Sequence, residues 1–156
     1  KNLFEKKNLL LLILEHITDP HNVGACIRTA AAAGVDAIIV PKNRSCHLTP
    51  TVRKISSGGA ELIPFIVVTN IVRTINKLQS EGVMIYGTDM KASKLHNEIT
   101  YGDKSALIIG SEDKGLKRLT LENCDEIIKV KMPGRIESLN ASVSTGIMLF
   151  QMINQQ

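Results

Sequence analysis

The chain has 156 residues, 44% hydrophobic and 22% charged, so it is long enough to bury one core without disulfides or a structural metal. Three widely spaced cysteines argue against a disulfide framework and a zinc site, and no apolar run approaches the roughly 20 residues of a membrane span. The formal net charge of +4 favours an anionic partner. We therefore expect one domain over residues 1–156, reduced thiols, no metal and no membrane. Because the chain begins at Lys1 without a methionine or signal peptide, we also expect a piece of a longer cytoplasmic protein.

Apolar runs of strand length alternate with helix signals along the whole chain. Strands are predicted at 9–15, 37–40, 63–68, 83–87, 106–109 and 126–130, and helices at 20–34, 49–57, 70–80, 116–123 and 139–152. Strands that are apolar on both faces and alternate with helices indicate an α/β fold, with a parallel sheet covered by helices on both faces. The polar segment 91–104 is predicted to be a long surface loop.

The last predicted helix combines an open start with an apolar face. It follows a polar, glycine-containing run within 132–146, and a helix start offers free backbone N–H groups to a ligand. The predicted apolar stripe of this helix, with helical spacing, consists of Val143, Ile147, Phe150 and Ile153.

Three polar loops are predicted to meet at one edge of the sheet. They are 19–28, 110–116 and 132–146, and each holds polar residues where a strand is expected to end. Because ligands of parallel sheets bind beyond the carboxyl ends of the strands, we interpret the three loops as parts of one site.

The first loop leads into a helix that carries Gly24 and Arg28, four residues apart. With that spacing a glycine lies beside a guanidinium, which permits close approach of a backbone, a phosphate or a ribose. Asn22 lies about 120° around the helix and nearer its open end. The alternative is that Arg28 is an ordinary surface arginine and that Gly24 serves helix packing.

The second loop has the position of a phosphate loop without its chemistry. Leu116 and Lys117 stand where such a loop needs its lysine and hydroxyl, and the chain has no Gly-x-Gly-x-x-Gly. Kinase-like and dehydrogenase-like functions are therefore disfavoured. Glu112 is either part of the site or a cap for the following helix.

Cations cluster after the second predicted strand. Lys42 and Arg44 follow it directly, and Arg53 comes shortly after, so these side chains are candidate phosphate contacts. The alternative is a solvated charged face. Three Phe, two Tyr and no Trp are too few for a base-stacking platform, so we expect any bound nucleic acid to be held by its backbone and shape.

Taken together, the three loops resemble the three sequence motifs of the SpoU/TrmH branch of the SPOUT RNA methyltransferases. Residues 22–28 resemble motif one, 110–115 motif two and 130–146 motif three. The resemblance covers 9–150. Shorter segments, including 18–22, are similar to the bacterial enzymes that methylate a guanosine of 23S-type ribosomal RNA. Those enzymes usually carry an additional N-terminal RNA-binding domain, which we expect to be absent from this chain.

The resemblance implies a deep trefoil knot in the C-terminal part of the sheet, and a homodimer that uses the small-residue faces of the first and last helices. It implies S-adenosylmethionine as the cofactor, held by main-chain groups around Thr88, Gly110, Val130, Met132 and Leu139. It implies methyl transfer to a ribose 2′-hydroxyl of RNA by the polar set Asn22, Arg28, Glu112, Ser138 and Asn140. Two alternatives stay open here: the ribose of a transfer RNA as substrate, and a noncatalytic RNA-binding or ribosome-assembly protein of the same fold.

Arg28 corresponds to a family arginine that is often assigned as the general base. A guanidinium, however, is a permanent cation. We therefore expect Arg28 to orient the ribose or a neighbouring phosphate and to stabilise the developing alkoxide, while the other polar residues fix the geometry.

Overall fold

The computed structural model describes residues 2–136 and 138–155. The strands are β1 (Leu9–Glu15), β2 (Ala37–Pro41), β3 (Phe65–Val68), β4 (Met84–Thr88), β5 (Lys94–Leu95), β6 (Lys104–Gly110) and β7 (Glu126–Lys129). The α-helices are α1 (Pro20–Ala33), α2 (Pro50–Ile55), α3 (Ile71–Ser80), α4 (Arg118–Asn123) and α5 (Ala141–Ile153). Short 3-10 turns lie at Leu3–Glu5 and Gly59–Glu61.

The strands form one parallel sheet in the order β3-β2-β1-β6-β4-β7-β5. Strand β1 lies in the interior of the sheet, and all seven of its residues are buried between β2 and β6. A parallel strand covered on both faces is expected to be continuously apolar, which explains why the run at 9–14 shows no alternation. The α/β fold with a parallel sheet is confirmed.

Helices cover both faces of the sheet, as predicted. On one face α1, α2 and α5 bury side chains such as Ile27 and Leu149 against Leu12. On the other face Ile75 of α3 packs with Ile13 and other strand residues. Truncation of a fully buried leucine or isoleucine to alanine costs about 2–5 kcal/mol, so these two layers hold the sheet edge that carries the loops.

Local signals fix both ends of α1. The carboxylate of Asp19 accepts a hydrogen bond from the backbone N–H of His21 at 2.9 Å, and Pro20 occupies the first helical position. The helix ends where Gly34 adopts a left-handed conformation with φ 79°. Both caps are strong sequence signals, so the predicted bounds of this helix are confirmed.

Two expectations about packing were wrong. The segment 91–104 is not only a loop, because it contains β5, which pairs with β7 at the sheet edge, and it buries Ala92 and Tyr101. The ring of Tyr101 meets that of Tyr86 edge to face with centroids 4.8 Å apart. A two-residue strand is too short to show a period, so its sequence looked like a loop.

Of the predicted apolar stripe of α5, Ile153 is partly buried against the core, but Val143, Ile147 and Phe150 are exposed. Val143 is 48% exposed and Phe150 40%, whereas Thr145, Met148 and Leu149 are buried on the opposite face. Most of the circumference of this helix is apolar, so spacing alone did not select the buried side. No helix within the described part of the chain is long and apolar enough to span a membrane.

Candidate cofactor cleft and catalytic residues

A cleft of about 680 Å³ opens at the carboxyl ends of β4, β6 and β7, beside the start of α5. All five predicted cofactor contacts line it: Thr88, Gly110, Val130, Met132 and Leu139. Two predicted catalytic residues, Glu112 and Ser138, line it as well. Its volume lies within the range of about 300–1,000 Å³ that is typical of small-molecule and cofactor sites.

Glycine is required at position 110 because the following loop folds back onto it. A Cβ atom added to Gly110 would lie 2.5 Å from the carbonyl carbon of Gly115, closer than any ordinary contact. The backbone N–H of Gly115 donates to the carbonyl oxygen of Ser111 at 2.8 Å, and Gly115 itself has φ 65°. The wall of the cleft is therefore a closed backbone loop that depends on both glycines.

Glu112 joins this loop to the last helix. Its Oε2 accepts a hydrogen bond at 2.9 Å from the backbone N–H of Ala141, the first residue of α5. A carboxylate at a helix start satisfies a free N–H group and interacts favourably with the helix dipole. The suggestion that Glu112 caps a helix was therefore correct in kind, but the helix is α5 and not the one that follows in sequence.

Asn140 is the residue that caps α5. Its Oδ1 accepts from the backbone N–H of Ser142 at 2.8 Å and also from the hydroxyl of Ser142. The helix consequently begins at Ala141, two residues later than predicted. Ser138 is exposed and lines the cleft, whereas Asn140 is not among the lining residues.

The predicted catalytic residues of α1 lie outside the lining of this cleft. Arg28 is exposed, and its guanidinium makes no hydrogen bond or ion pair with the residues in 2–136 and 138–155. Asn22 is half-buried near the start of the helix. A Cβ atom on Gly24 would lie 2.7 Å from the Cβ of Ile55, so this glycine serves the packing of α2 against α1. The packing explanation for Gly24 is thus correct.

The predicted RNA contacts lie on a loop that is pinned at several points. Lys42 and Arg44 are exposed, while the backbone N–H of Lys42 donates to the carbonyl of Val68 at 2.7 Å. His16 Nδ1 lies 3.3 Å from the carbonyl oxygen of Arg44. His16 and Arg44 both adopt left-handed conformations, with φ 56° and 53°, which are uncommon for non-glycine residues.

Arg53 differs from these cations because it already has an anionic partner. Its Nη1 lies 2.8 Å from Oε2 of Glu61, and both side chains are exposed. An exposed ion pair contributes only about 0–1 kcal/mol, so the guanidinium can exchange Glu61 for a phosphate.

A family model described as the SpoU rRNA Methylase family matches residues 9–150. The chain belongs to the SpoU rRNA methylase family. The resemblance found in the sequence is confirmed, and the match extends from the first residue of β1 through all but the last three residues of α5.

Curated members of the SpoU family include close relatives of this chain. It is 48% identical over 147 residues to the 23S rRNA (guanosine-2'-O-)-methyltransferase RlmB of Pseudomonas aeruginosa, covering 94% of this chain and 59% of that protein. Identity to the protein of the same name from Escherichia coli is 49% over 146 residues, covering 94% and 60%. The chain therefore spans about three fifths of the length of these relatives.

Solved SpoU-type structures share the fold. An AdoMet-bound rRNA methyltransferase from Sinorhizobium meliloti superimposes with a TM-score of 0.88 at 27% identity, covering 96% of this chain and 57% of that one. The TrmH/SpoU tRNA modifying enzyme of A. aeolicus gives a TM-score of 0.86 at 25% identity, covering 96% and 76%. AviRb from Streptomyces viridochromogenes, at 23% identity and a TM-score of 0.89, supports the fold alone.

Several residues that line the cleft were missed by sequence reasoning. Asp89 and Lys91 follow β4, Lys114 lies in the motif-two loop, and Lys129 ends β7. The signal for Asp89, Lys91 and Lys129 was their position at the carboxyl ends of strands, which the sequence analysis used only for the three motif loops. Lys114 lies within one of those loops but was not singled out as a site residue. Asp113 also lines the cleft, and a hydrogen bond from the side chain of Ser111 lowers the pKa of its carboxyl group.

The thiols are poorly suited to act as nucleophiles. Burial raises the pKa of Cys26 to about 11, and burial together with the charges of Asp125 and Glu15 raises the pKa of Cys124 to about 12. Both thiols are therefore protonated at neutral pH. Among the described residues, no group of three or more His, Cys, Asp or Glu side chains is arranged to hold a metal ion.

Proposed function

We propose that residues 1–156 form a SPOUT catalytic domain that methylates the ribose 2′-hydroxyl of a guanosine in large-subunit ribosomal RNA, using S-adenosylmethionine. The observation that carries this proposal is the convergence of motif two, motif three and the end of β4 on one cleft of cofactor size. The relatives named for this reaction are close to half identical over nearly all of the chain.

The residues of the cleft fit the proposed cofactor. Val130, Met132 and Leu139 supply apolar surface suited to an adenine ring, and the closed loop from Gly110 to Gly115 supplies main-chain groups close to the ligand. S-adenosylmethionine, when bound, provides the methyl group on a sulfonium centre. The hydrogen bond between Glu112 and Ala141 fixes the two walls relative to each other, so the site is preorganised.

Arg28 provides the charge that the reaction needs on the RNA side. The hydroxyl proton passes to solvent water as the ribose oxygen accepts the methyl group. A permanent guanidinium cation stabilises the negative charge that develops on this oxygen and orients the ribose or its phosphate. Asn22 lies on the same helix, nearer its open end. Ser138 faces the cleft, and Asn140 and Glu112 hold the start of α5 in place.

The proposed enzyme is a homodimer in which the second copy completes the site. Arg28 and Asn22 do not line the cleft of their own chain, and α5 presents Val143 and Phe150 to solvent. Sedimentation velocity tests this arrangement. Phe150→Glu is expected to shift the protein to a monomer and to abolish methyl transfer. Leu62→Glu, at a more exposed apolar position elsewhere, should leave the dimer intact, and an unchanged sedimentation coefficient for Phe150→Glu would contradict the proposal.

We also propose that the C-terminal part of the sheet is knotted. Strand β7 lies between β4 and β5, which are consecutive along the chain. The chain therefore returns between two strands that precede it, an arrangement that is compatible with a C-terminal knot.

The enzymatic proposal is tested in two steps. Calorimetry with S-adenosylmethionine should show one saturable site per chain, and no binding at millimolar cofactor would reject the proposal. Methylation of ribosomal and transfer RNA transcripts by the full-length protein, with mapping of the modified nucleotide, then identifies the substrate. Modification of a ribosomal guanosine is expected. Modification of transfer RNA alone would contradict the proposed substrate but support the proposed reaction, methyl transfer to a ribose.

A further inference from the structure

Glu15 is a buried carboxylate that none of the three motifs contains. It is the last residue of β1, where it follows six apolar residues, and it is 2% exposed. A buried carboxylate strongly destabilises a fold unless hydrogen bonds compensate its lost hydration. The contacts of Glu15 therefore indicate what holds it in this position.

Both oxygens of Glu15 accept hydrogen bonds from the start of α4. Oε1 accepts from the backbone N–H of Lys117 at 2.9 Å, and Oε2 accepts from the hydroxyl of Thr120 at 2.5 Å. The side chain of Lys117, the residue preceding the helix, provides no cap of its own. The carboxylate that completes this helix start thus comes from an interior strand of the sheet.

Glu15 also fixes the other end of the same loop. In the parallel register of β1 and β6 it is paired with Gly110, the residue from which the motif-two loop leaves the sheet. The loop closes on itself between Ser111 and Gly115 and then reaches Lys117. One residue therefore holds the loop at its start through the backbone and at its end through the side chain.

The same loop also contacts the start of the last helix. Glu112, within the loop, accepts a hydrogen bond from the N–H of Ala141 at the start of α5. We propose that Glu15 is a positioning residue for cofactor binding, which holds the 110–117 loop in its binding shape and, through Glu112, sets the start of α5. This inference rests on the proposed function of the cleft.

The test compares three variants by calorimetry with S-adenosylmethionine, at a temperature where circular dichroism shows each to be folded. Glu15→Ala should weaken binding about tenfold, the equivalent of about 1.4 kcal/mol. Glu15→Gln should restore it to within about twofold, because the amide oxygen still accepts from Lys117 and the amide N–H donates to Thr120. Asp36→Ala is the matched control, since Asp36 also accepts a backbone N–H, that of Leu10, at the opposite end of β1.

Hydrogen exchange without cofactor supplies an independent readout. In Glu15→Ala the amides of Gly115, Lys117 and Ala141 should exchange faster relative to the rest of the chain, whereas in Asp36→Ala they should not. If Glu15→Ala does not fold, Thr120→Val removes one of the two bonds and should weaken binding about threefold, a smaller loss than the tenfold of Glu15→Ala.

The outcomes separate this inference from the proposed function. Unchanged cofactor affinity and unchanged exchange in Glu15→Ala, or in Thr120→Val if the first variant is unfolded, would overturn the positioning role. If the wild-type protein binds no cofactor at millimolar concentration, the proposed function fails. In that case the exchange pattern alone decides whether Glu15 holds the loop.

Discussion

The edge of the sheet at which the strands end has two halves that are built differently. One is the cleft beside β4, β6 and β7, and the other is the surface formed by α1 and the loop after β2. In the cleft, polar side chains bind backbone groups: Glu112 accepts a hydrogen bond from the N–H of Ala141, and the hydroxyl of Thr88 donates one to the carbonyl of Ile108. Around α1 and the loop after β2, Arg28 and other long cations extend into solvent. The first half is preorganised for a small ligand, and the second offers charges that a polyanion can order when it binds.

The largest expected effect lies on the solvent-facing half. Replacing Arg28 by alanine should lower methyl transfer by about 100- to 1,000-fold, as loss of one charge-stabilising donor does in other enzymes, with cofactor affinity unchanged. Steady-state kinetics and calorimetry on the full-length protein measure the two quantities. Arg73→Ala, an exposed arginine on α3, serves as the control. Near-normal turnover of Arg28→Lys with intact RNA binding would remove the proposed role.

The next effect lies on the preorganised half. Gly110→Ala should weaken S-adenosylmethionine binding by about 10- to 100-fold, the equivalent of about 1.4–2.8 kcal/mol, because the new methyl group pushes the loop away at Gly115. Gly134 lines the same cleft but has open space around its Cβ position, so the Gly134→Ala variant should bind S-adenosylmethionine with normal affinity. Equal affinities for the two variants would show that the loop is not preorganised.

A smaller effect distinguishes Lys42 and Arg44, which form no ion pair with residues 2–136 and 138–155, from Arg53, which does. Lys42→Ala and Arg44→Ala should each reduce the slope of log affinity against log salt by about one, as expected for loss of a phosphate contact. Arg53→Ala should change the slope less, since Arg53 is already paired with Glu61. Filter binding of a ribosomal RNA fragment between low and moderate salt measures the slopes. Slopes that match the wild type for Lys42→Ala and Arg44→Ala would exclude this loop as an RNA contact.

The smallest effect concerns the contact between α1 and α5, where the Sγ atom of Cys26 lies 3.6 Å from the hydroxyl of Thr145. Burial raises the pKa of Cys26 from 9.0 to about 11, so the folded state keeps a proton that the unfolded state loses. The resulting stability is complete below pH 9.0 and is lost as pH rises toward 11.

Ionisation of this one thiol should lower the free energy of unfolding of the protein by about 1 kcal/mol between pH 8 and pH 10. Urea titrations of wild type and Cys26→Ala at the two pH values measure the change. The variant should show a correspondingly smaller fall. An equal fall in both proteins would mean that the buried thiol does not contribute.

The elements that the sequence predicted well are those encoded locally. Asp19 and Pro20 start α1 and Gly34 ends it, and an unbroken apolar run is sufficient to indicate β1. The five residues predicted to bind the cofactor line one cleft, and the family resemblance that suggested them carries information about non-local contacts. Their roles in binding stay predictions.

What the sequence did not reveal depends on distant partners. Nothing near Glu112 indicates that its partner is Ala141, and nothing near Gly24 indicates that Ile55 packs against it. The sequence also does not show which face of α5 is buried, because both faces are apolar and only packing against the sheet decides between them. Spacing records periodicity within a segment, whereas these contacts depend on how segments meet.

The interior position of β1 in the sheet has a consequence for biosynthesis. Its neighbour β2 is made soon after it, but its other neighbour, β6, follows all the strands from β2 to β5, and α5 follows later still. An apolar strand therefore emerges from the ribosome well before the segments that shield it from water, and during that interval it is a binding site for chaperones or for other nascent chains. Because β6 and α5 are so distant from β1 in sequence, we expect folding to be slow and to depend on release of nearly the whole domain.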